Sequence, residues 1–533
     1  MVEVFSENER RLLAPYFTNL DGSVFALRNL PEVVKGALFA RYSRSAKSLR
    51  RLFLDEFLDE VGSGAHTEDV GVQRADKLYE RVFDEYGDDS VAQLGGAHLA
   101  CEGASNILTK VLEWGRLMAY LEQSTRYIAY NNRVGGLWKY LVPAELEDIA
   151  LRERYVAALD RAFETYANLI EPLEQHYRCK FPKEPDDPEG VYKRTIRAKA
   201  LDTLRGLLPA ATQSNVGLFG TGQAYEALLL RMRIHPLAEV RDYAALMLVE
   251  LRKVIPSFLK RVDRPDRGGR WSQYLQDTHA ATAAVAQRHL STVAPDPSPE
   301  VVLTDYDPDG ELKVVAAALY AVSDLPDTQL LNRARDLRTD ERIAVLRAYV
   351  GERGNRRHKP GRAFERTSYR FDILTDYGAF RDLQRHRMLT LDWQPLSPRH
   401  GYAVSEAVQE AGALPAWQRV MEESAAVYDA TRHHGLPHVA PYAVSMAYRV
   451  RFYMELNARE ALHMIELRTS PQGHPAYRRV CQTMHRLIAE QAGHHAIAAA
   501  MSFADHSTVE LERLHAERAS AKRRSEGAGS QSD

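Results

Sequence analysis

Apolar positions recur at helical spacing in SAKSLRRLFLDEFLDEV, so residues 6 to about 60 are predicted to be helix-rich. A second helix is predicted from roughly Glu102 to Leu112, and a charged, amphipathic one over 150–178. FPKEPDDPEG then breaks the pattern with turn residues, and helices are expected to dominate from about 190 to 260. The segments RVDRPDRGGR and APDPSPE, between about 262 and 300, are rich in Pro, Asp and Gly and read as the two ends of a linker. Beyond them, VVLTDYDPDGEL predicts a short strand and turn, and LKVVAAALYAVS a buried helix. The expected division is an N-terminal domain over 1–262, a linker over 263–299, a second domain over 300–510 and a polar, disordered tail over 511–533.

The two predicted domains are related. HLACEGASNILTKVLEWGR (98–116) aligns without gaps to YRFDILTDYGAFRDLQRHR (369–387), and the terminal Arg coincides. Downstream, 207–241 corresponds to 439–479, each with a Pro before an apolar stretch, then a helix, an Arg and a His-Pro pair. Two such matches in the same order predict a tandem duplication.

Bulk properties narrow the function classes. A chain of 533 residues exceeds one ordinary core. With 70 basic against 72 acidic residues the net charge is -2, which gives no electrostatic argument for nucleic acid or a membrane surface. No apolar run reaches membrane-spanning length, and the first residues show no secretory pattern. Cys101, Cys179 and Cys481 form neither a disulfide framework nor a zinc spacing, so a reducing cytoplasm is the expected location.

The candidate chemistry is cationic. Arg385, His386 and Arg387 are consecutive where a helical pattern turns extended, and Ser397 and Arg399 follow. Such clusters of anion donors suit phosphate-bearing ligands. A diluted version occurs earlier, at Arg116 and then Glu122, Ser124, Arg126 and Tyr127. Arg-His-Arg alone is more often a solvated helix end; the repeat and the Asn457-Ala458-Arg459 helix turn the balance toward a ligand site. The adjacent pairs His433–His434 and His494–His495 diverge on a helix and lack a spaced carboxylate, so no metal site is expected.

These residues resemble the flavin-dependent thymidylate synthases, the thymidylate synthase complementing family, over most of 37–260 and 300–500. The family signature is Arg-His-Arg, seven residues, then Ser. Here nine residues separate Arg387 from Ser397, whereas the spacing from Arg116 to Ser124 is the family's own, with Trp114-Gly115 in place of Arg-His. Arg205 stands four before Pro209, where the family has a substrate-facing Arg, and Asn457-Ala458-Arg459 opens the family's late helix, continued by His463 and Arg468.

The resemblance implies an α+β fold, helix-rich around a small β-sheet, in two tandem copies. It implies conversion of dUMP to dTMP with methylene-tetrahydrofolate as carbon donor and NADPH-reduced FAD as hydride source. Arg468 and Arg231 take the catalytic positions. Arg385, His386, Arg387, Asn457, Arg459, His463, His358 and Glu365 fall on the flavin side, with Ser43, Ser45, Arg356 and Arg357 near it. Glu122, Ser124, Arg126, Arg205, Ser397 and Arg399 fall on the nucleotide side. Flavin groups concentrate in the second copy and nucleotide groups in the first, so each competent site should combine both, in a homodimer acting as a pseudo-tetramer. The departures keep two other readings open: a degenerate nucleotide- or flavin-binding relative, and a flavin enzyme acting on another pyrimidine nucleotide.

Overall fold

The computed structural model describes residues 4–42, 45, 47–58, 93–185 and 187–507. The predicted tail and Ser43 lie outside them. The chain divides into two compact units: residues 1–104, 111–122 and 214–294 form the first, and 105–110, 123–213 and 295–533 the second.

The first unit carries a three-stranded sheet of β1 (Gly96–Ser105), β2 (Met118–Glu122) and β3 (Gln213–Thr221), in the order β1-β3-β2. The segment predicted as a helix from Glu102 is in fact the end of β1, and only Asn106–Leu112 is helical. GAHLACEGAS mixes small and apolar residues, which periodicity alone does not assign, and Gly103 adopts a positive φ of 70° that a helix cannot hold. A helix does form at Leu49–Glu56, where Ser48 accepts the Arg51 N–H as its N-cap. The predicted linker contains a 21-residue helix, Arg270–Leu290, with no buried residue.

The second unit carries a four-stranded sheet of β4 (Val301–Tyr306), β5 (Ser368–Asp376), β6 (Thr390–Trp393) and β7 (Arg449–Asn457), in the order β4-β5-β7-β6, with every pairing antiparallel. Burial alternates along β5 and β7, as expected for strands with one face on a core. The two sheets share a plan. Strand β1, a short helix and β2 match β5, the helix Tyr377–Leu383 and β6. Strand β3 followed by the helices Gly222–Arg233 and Ala238–Leu251 matches β7 followed by Ala458–Arg468 and Pro475–Glu490. The shared strand order, β1-β3-β2 against β5-β7-β6, is that of a duplicated α+β domain.

Part of the first copy packs into the second unit. Its long helix Ile149–Lys180 lies against Leu414–His433, and one apolar core runs through both, from Tyr166, Ile196 and Leu204 to Trp417, Phe452 and Met464. A short backbone ladder joins equivalent segments: Ala210 N–H donates to Val444 O at 2.8 Å, Met446 N–H to Leu208 O at 2.9 Å, and Ala447 N–H to Gly206 O at 2.9 Å. The Tyr377 hydroxyl donates to Asn106 O and Gln384 Nε2 to Lys110 O, both from buried positions. Burying these segments together obliges their backbone groups to pair, and Arg205, directly before the ladder, is thereby fixed in position. Among the described residues, no helix is long and apolar enough to cross a membrane.

Candidate functional site

Just beyond β2 the chain turns, with Ser124 O accepting the Ile128 N–H at 3.2 Å and Ser124 Oγ accepting the Arg126 N–H at 3.3 Å. This turn presents Arg126 to the helix Glu189–Leu204. There the guanidinium donates twice to Asp202, Nε to Oδ1 at 2.7 Å and Nη2 to Oδ2 at 2.6 Å. Its outer edge reaches the second copy, donating to the Tyr477 hydroxyl at 3.2 Å and Gln472 O at 3.1 Å. A two-pronged Arg–carboxylate pair of this kind fixes the plane of the guanidinium.

Arg205 is almost fully buried. Its Nη1 donates to Asp382 Oδ2 at 3.1 Å, and Asp382 Oδ1 accepts from Arg385 Nη2 at 2.9 Å, so one carboxylate joins the two copies. Burial by itself would raise the Asp382 pKa; Arg385, Arg205, Arg468 and Arg126 together overcome it and hold the carboxyl well below the usual carboxylate range. Arg205 Nε and Nη2 are buried with no hydrogen-bond partner. They lie against Gly378, where a Cβ would sit 3.0 Å from Nε and 3.2 Å from Nη2, so a side chain there would crowd the guanidinium.

At the next residue, His386, the chain enters a second cluster. Arg468 Nε donates to His386 Nε2 at 3.0 Å, and His386 Nδ1 meets Glu460 Oε1 at 2.9 Å. The His463 ring lies edge-on to His386, with centroids 5.5 Å apart. Burial is the main force pushing His386 well below the ordinary histidine pKa, with Arg468, Lys359 and Arg385 adding to it. Burial likewise takes His463 down to about 4, against the pull of Glu460. Glu460 is raised, again mainly by burial, and its side chain is opposed by His463, Lys359, Arg459 and Arg387. Arg468 also lies over the Tyr477 ring, 5.5 Å from its centroid, and so faces the same residue that Arg126 touches.

The loop 351–361 borders this cluster. Asn457 caps the helix Ala458–Arg468 by accepting the Glu460 N–H at 2.9 Å. Arg459 then reaches the loop, donating to Pro360 O at 2.9 Å and pairing with Glu365 at 3.5 Å. Arg353 Nε donates to His358 O at 2.5 Å. The His358 ring, expected to face a ligand, instead accepts the Gly354 N–H at Nδ1 and contacts Asn355. Lys359, whose neighbours on both sides are pinned through their carbonyls, is the loop residue whose charge acts on His386, Glu460 and His463.

Of the residues expected from sequence, Arg126, Arg205, Arg385, His386, His463 and Arg468 therefore converge, with Asn457, Arg459 and Glu365 beside them. Ser397 and Arg399 sit on the turn Pro398–His400, and among the described residues no hydrogen bond or ion pair links them to the cluster. Glu122 and Arg231 belong to the first unit, where Glu122 pairs with Val216 across β2–β3 and Arg231 stacks on Trp114 at 5.2 Å. His235 and His474 each accept a backbone N–H two residues on, as residues that shape a turn. The sequence reading missed Asp202, Asp382, Glu460, Tyr477 and Lys359. Only Glu460 carried a signal, as the third residue after an Asn helix cap.

The thymidylate synthase complementing protein family matches this chain over residues 37–257 and 302–493. A UPF0159 protein of Chlamydia muridarum is 38% identical over 523 residues, covering 96% of this chain and 98% of the relative. A UPF0159 protein of Thermoplasma acidophilum is 30% identical over 514 residues, covering 91% and 97%. A flavin-dependent thymidylate synthase of Clostridium tetani is 26% identical over 203 residues, covering 38% of this chain and 75% of the relative. Among solved structures, a UMP/dUMP methylase from Streptomyces cacaoi bound with 5-Br dUMP matches with a TM-score of 0.30 and 19% identity, covering 37% of this chain and 94% of that one. The chain belongs to the thymidylate synthase complementing protein family, with the family domain present twice.

Proposed function

We propose that this protein is a flavin-dependent thymidylate synthase, converting dUMP to dTMP with methylene-tetrahydrofolate as carbon donor and NADPH-reduced FAD as hydride source. The observation that carries this reading is the convergence on Asp382 of Arg126 and Arg205 from the first copy with Arg385 and Arg468 from the second. Four guanidinium groups against two carboxylates, Asp382 and Asp202, leave net positive charge for an anionic nucleotide. The buried, unpartnered Nε and Nη2 of Arg205 are donors awaiting an acceptor.

In this reading Ser124, Arg126 and Arg205 hold the nucleotide, Arg126 exchanging part of its Asp202 pairing for phosphate oxygens. Arg385, Arg387, Asn457, Arg459 and His463 form the flavin side, whose cationic and imidazole donors fit a pyrophosphate and a ring system, while His386, with both ring nitrogens engaged, supports that side by holding Arg468. Lys359 takes the loop position expected for His358. Bound flavin supplies the hydride chemistry. Arg468, held at Nε by His386, stabilises negative charge on the pyrimidine ring as the methylene carbon is transferred to C5. The site combines both copies within one chain, so a homodimer of chains would act as the pseudo-tetramer. The nine-residue spacer after Arg387 favours, as a second reading, a catalytically degenerate relative that keeps nucleotide or flavin binding.

The test is incubation with FAD, NADPH, dUMP and methylene-tetrahydrofolate, with dTMP read by mass spectrometry. Product dependent on dUMP and folate is expected; flavin and dUMP binding without product would move the second reading ahead. Arg126→Ala should weaken dUMP binding on the order of 30-fold, as expected for loss of charge-assisted bonds, while flavin binding persists. Equal loss of both ligands by calorimetry would remove the division of labour between the copies.

A further inference from the structure

His386, Glu460 and His463 place ligand atoms within 4.8 Å of one another, an arrangement that could hold a metal ion. The hydrogen bonding around His386 argues otherwise. A guanidinium Nε–H can only donate, so His386 Nε2, 3.0 Å from Arg468 Nε, must present its lone pair. A neutral imidazole then carries its hydrogen on Nδ1, which faces Glu460 Oε1 at 2.9 Å and donates to it. A metal at Nδ1 would require the ring to lose that proton as well. It would also enter a region bounded by Lys359, Arg385, Arg387, Arg459 and Arg468, where a further cation is disfavoured.

We infer that His386 and Glu460 are positioning residues: Glu460 fixes His386 as the Nδ1–H tautomer, and His386 in turn holds Arg468 by its Nε edge, leaving the Nη groups turned to the ligand. The charged and titratable groups facing His386 come from three segments: Lys359 from the loop, Arg385 from the turn after Tyr377–Leu383, and Glu460, His463 and Arg468 from one helix. Burial keeps the imidazole neutral, so the hold on Arg468 persists across the range in which a free histidine titrates. The ligand-facing role of Arg468 rests on the proposed thymidylate reading; the tautomer and the arrangement of hydrogen bonds do not.

The experiment is nitrogen-15 NMR of the full chain with labelled histidine, the His386 signals being assigned by their loss in His386→Gln. A neutral ring with Nδ1 protonated and Nε2 bare at neutral pH is expected. A ring protonated on Nε2, or on both nitrogens, would overturn the inference. Titration with Zn²⁺ alone should leave the His386 and His463 signals in place; their joint shift at one equivalent would identify a metal centre and overturn it too.

For the role of Arg468, dUMP binding is measured on His386→Leu and His386→Gln. Leucine removes both hydrogen bonds and should weaken binding on the order of tenfold. Glutamine offers a carbonyl to Arg468 and an amide to Glu460 and should recover most of the loss. Equal losses in the two variants would refute the positioning role. A wild-type protein with the expected tautomer but no dUMP binding would leave the relay standing and count against the proposed substrate.

Discussion

Glu466→Ala is expected to lower the melting temperature by about 5 °C, because it strands a buried arginine. The Arg353 side chain is 3% exposed and that of Glu466 1%, and the two are joined by parallel bonds of 2.6 Å. Arg353 also donates to Ala500 O and to His358 O, and its guanidinium lies 5.1 Å from the Phe503 ring centroid. Glu466 in turn accepts the Phe503 N–H at 3.2 Å. Removing one member of a buried pair costs roughly 3–5 kcal/mol, since the other is left charged and unsolvated. Replacing both together, as Arg353→Met with Glu466→Leu, should recover much of that loss, because no charge is stranded. Calorimetric melting of the three proteins decides the matter; a Glu466→Ala protein melting within about 2 °C of its parent would exclude the clamp. The effect should extend to function. Glu466 lies two residues before Arg468, and Arg353 pins one side of Lys359, so the single variant should also weaken anion binding at the site.

The duplication could be read in the sequence because its signal is local. The stretches 98–116 and 369–387 each give a strand followed by a short helix, and 207–241 and 439–479 each give a strand followed by two helices. What could not be read is what the two copies do to each other. Asp202 and Asp382 are unremarkable acidic residues on helices until residues 123–213 pack beside the second sheet, when they become the counter-charges of arginines from both copies. The distinction between His358 and Lys359 is of the same kind. Residue type favoured the histidine, but the loop's own bonds to Gly354 and Asn355 turn that ring away. The end of β1, residues 102–105, reads as the start of a helix because its small residues fit either period, and only pairing with β3 decides between them. Arg-His-Arg was recognised by motif, but the reason for its middle residue, a bond to Glu460 lying 74 positions away, is visible only in three dimensions.

Asp382→Asn should produce two opposite effects: lower stability without ligand, and a larger stabilisation by inorganic phosphate. The Asp382 carboxylate accepts from buried Arg205 and from Arg385. Asparagine keeps the shape and one acceptor but removes the charge, so a loss of about 2–4 kcal/mol is expected at neutral pH. The sign with pH follows from the depressed pKa of Asp382 in the folded protein. The carboxylate's contribution is fully present above the unfolded value of about 3.9 and declines as pH falls toward the folded value, so the gap between parent and variant should narrow only in acid. Phosphate acts in the other direction. In the variant, Arg126, Arg205, Arg385 and Arg468 face the ligand with one fewer competing anion. Phosphate affinity should rise on the order of tenfold, adding about 1.4 kcal/mol of stabilisation at saturation. Melting curves in phosphate-free buffer and across a phosphate titration test both effects. If phosphate stabilised parent and variant equally, Asp382 would be a structural counter-ion remote from any ligand. A larger gain in the variant would mark Asp382 as the group that an anionic ligand must compete with, and would identify the four arginines as that ligand's binding surface independently of any assay for the reaction.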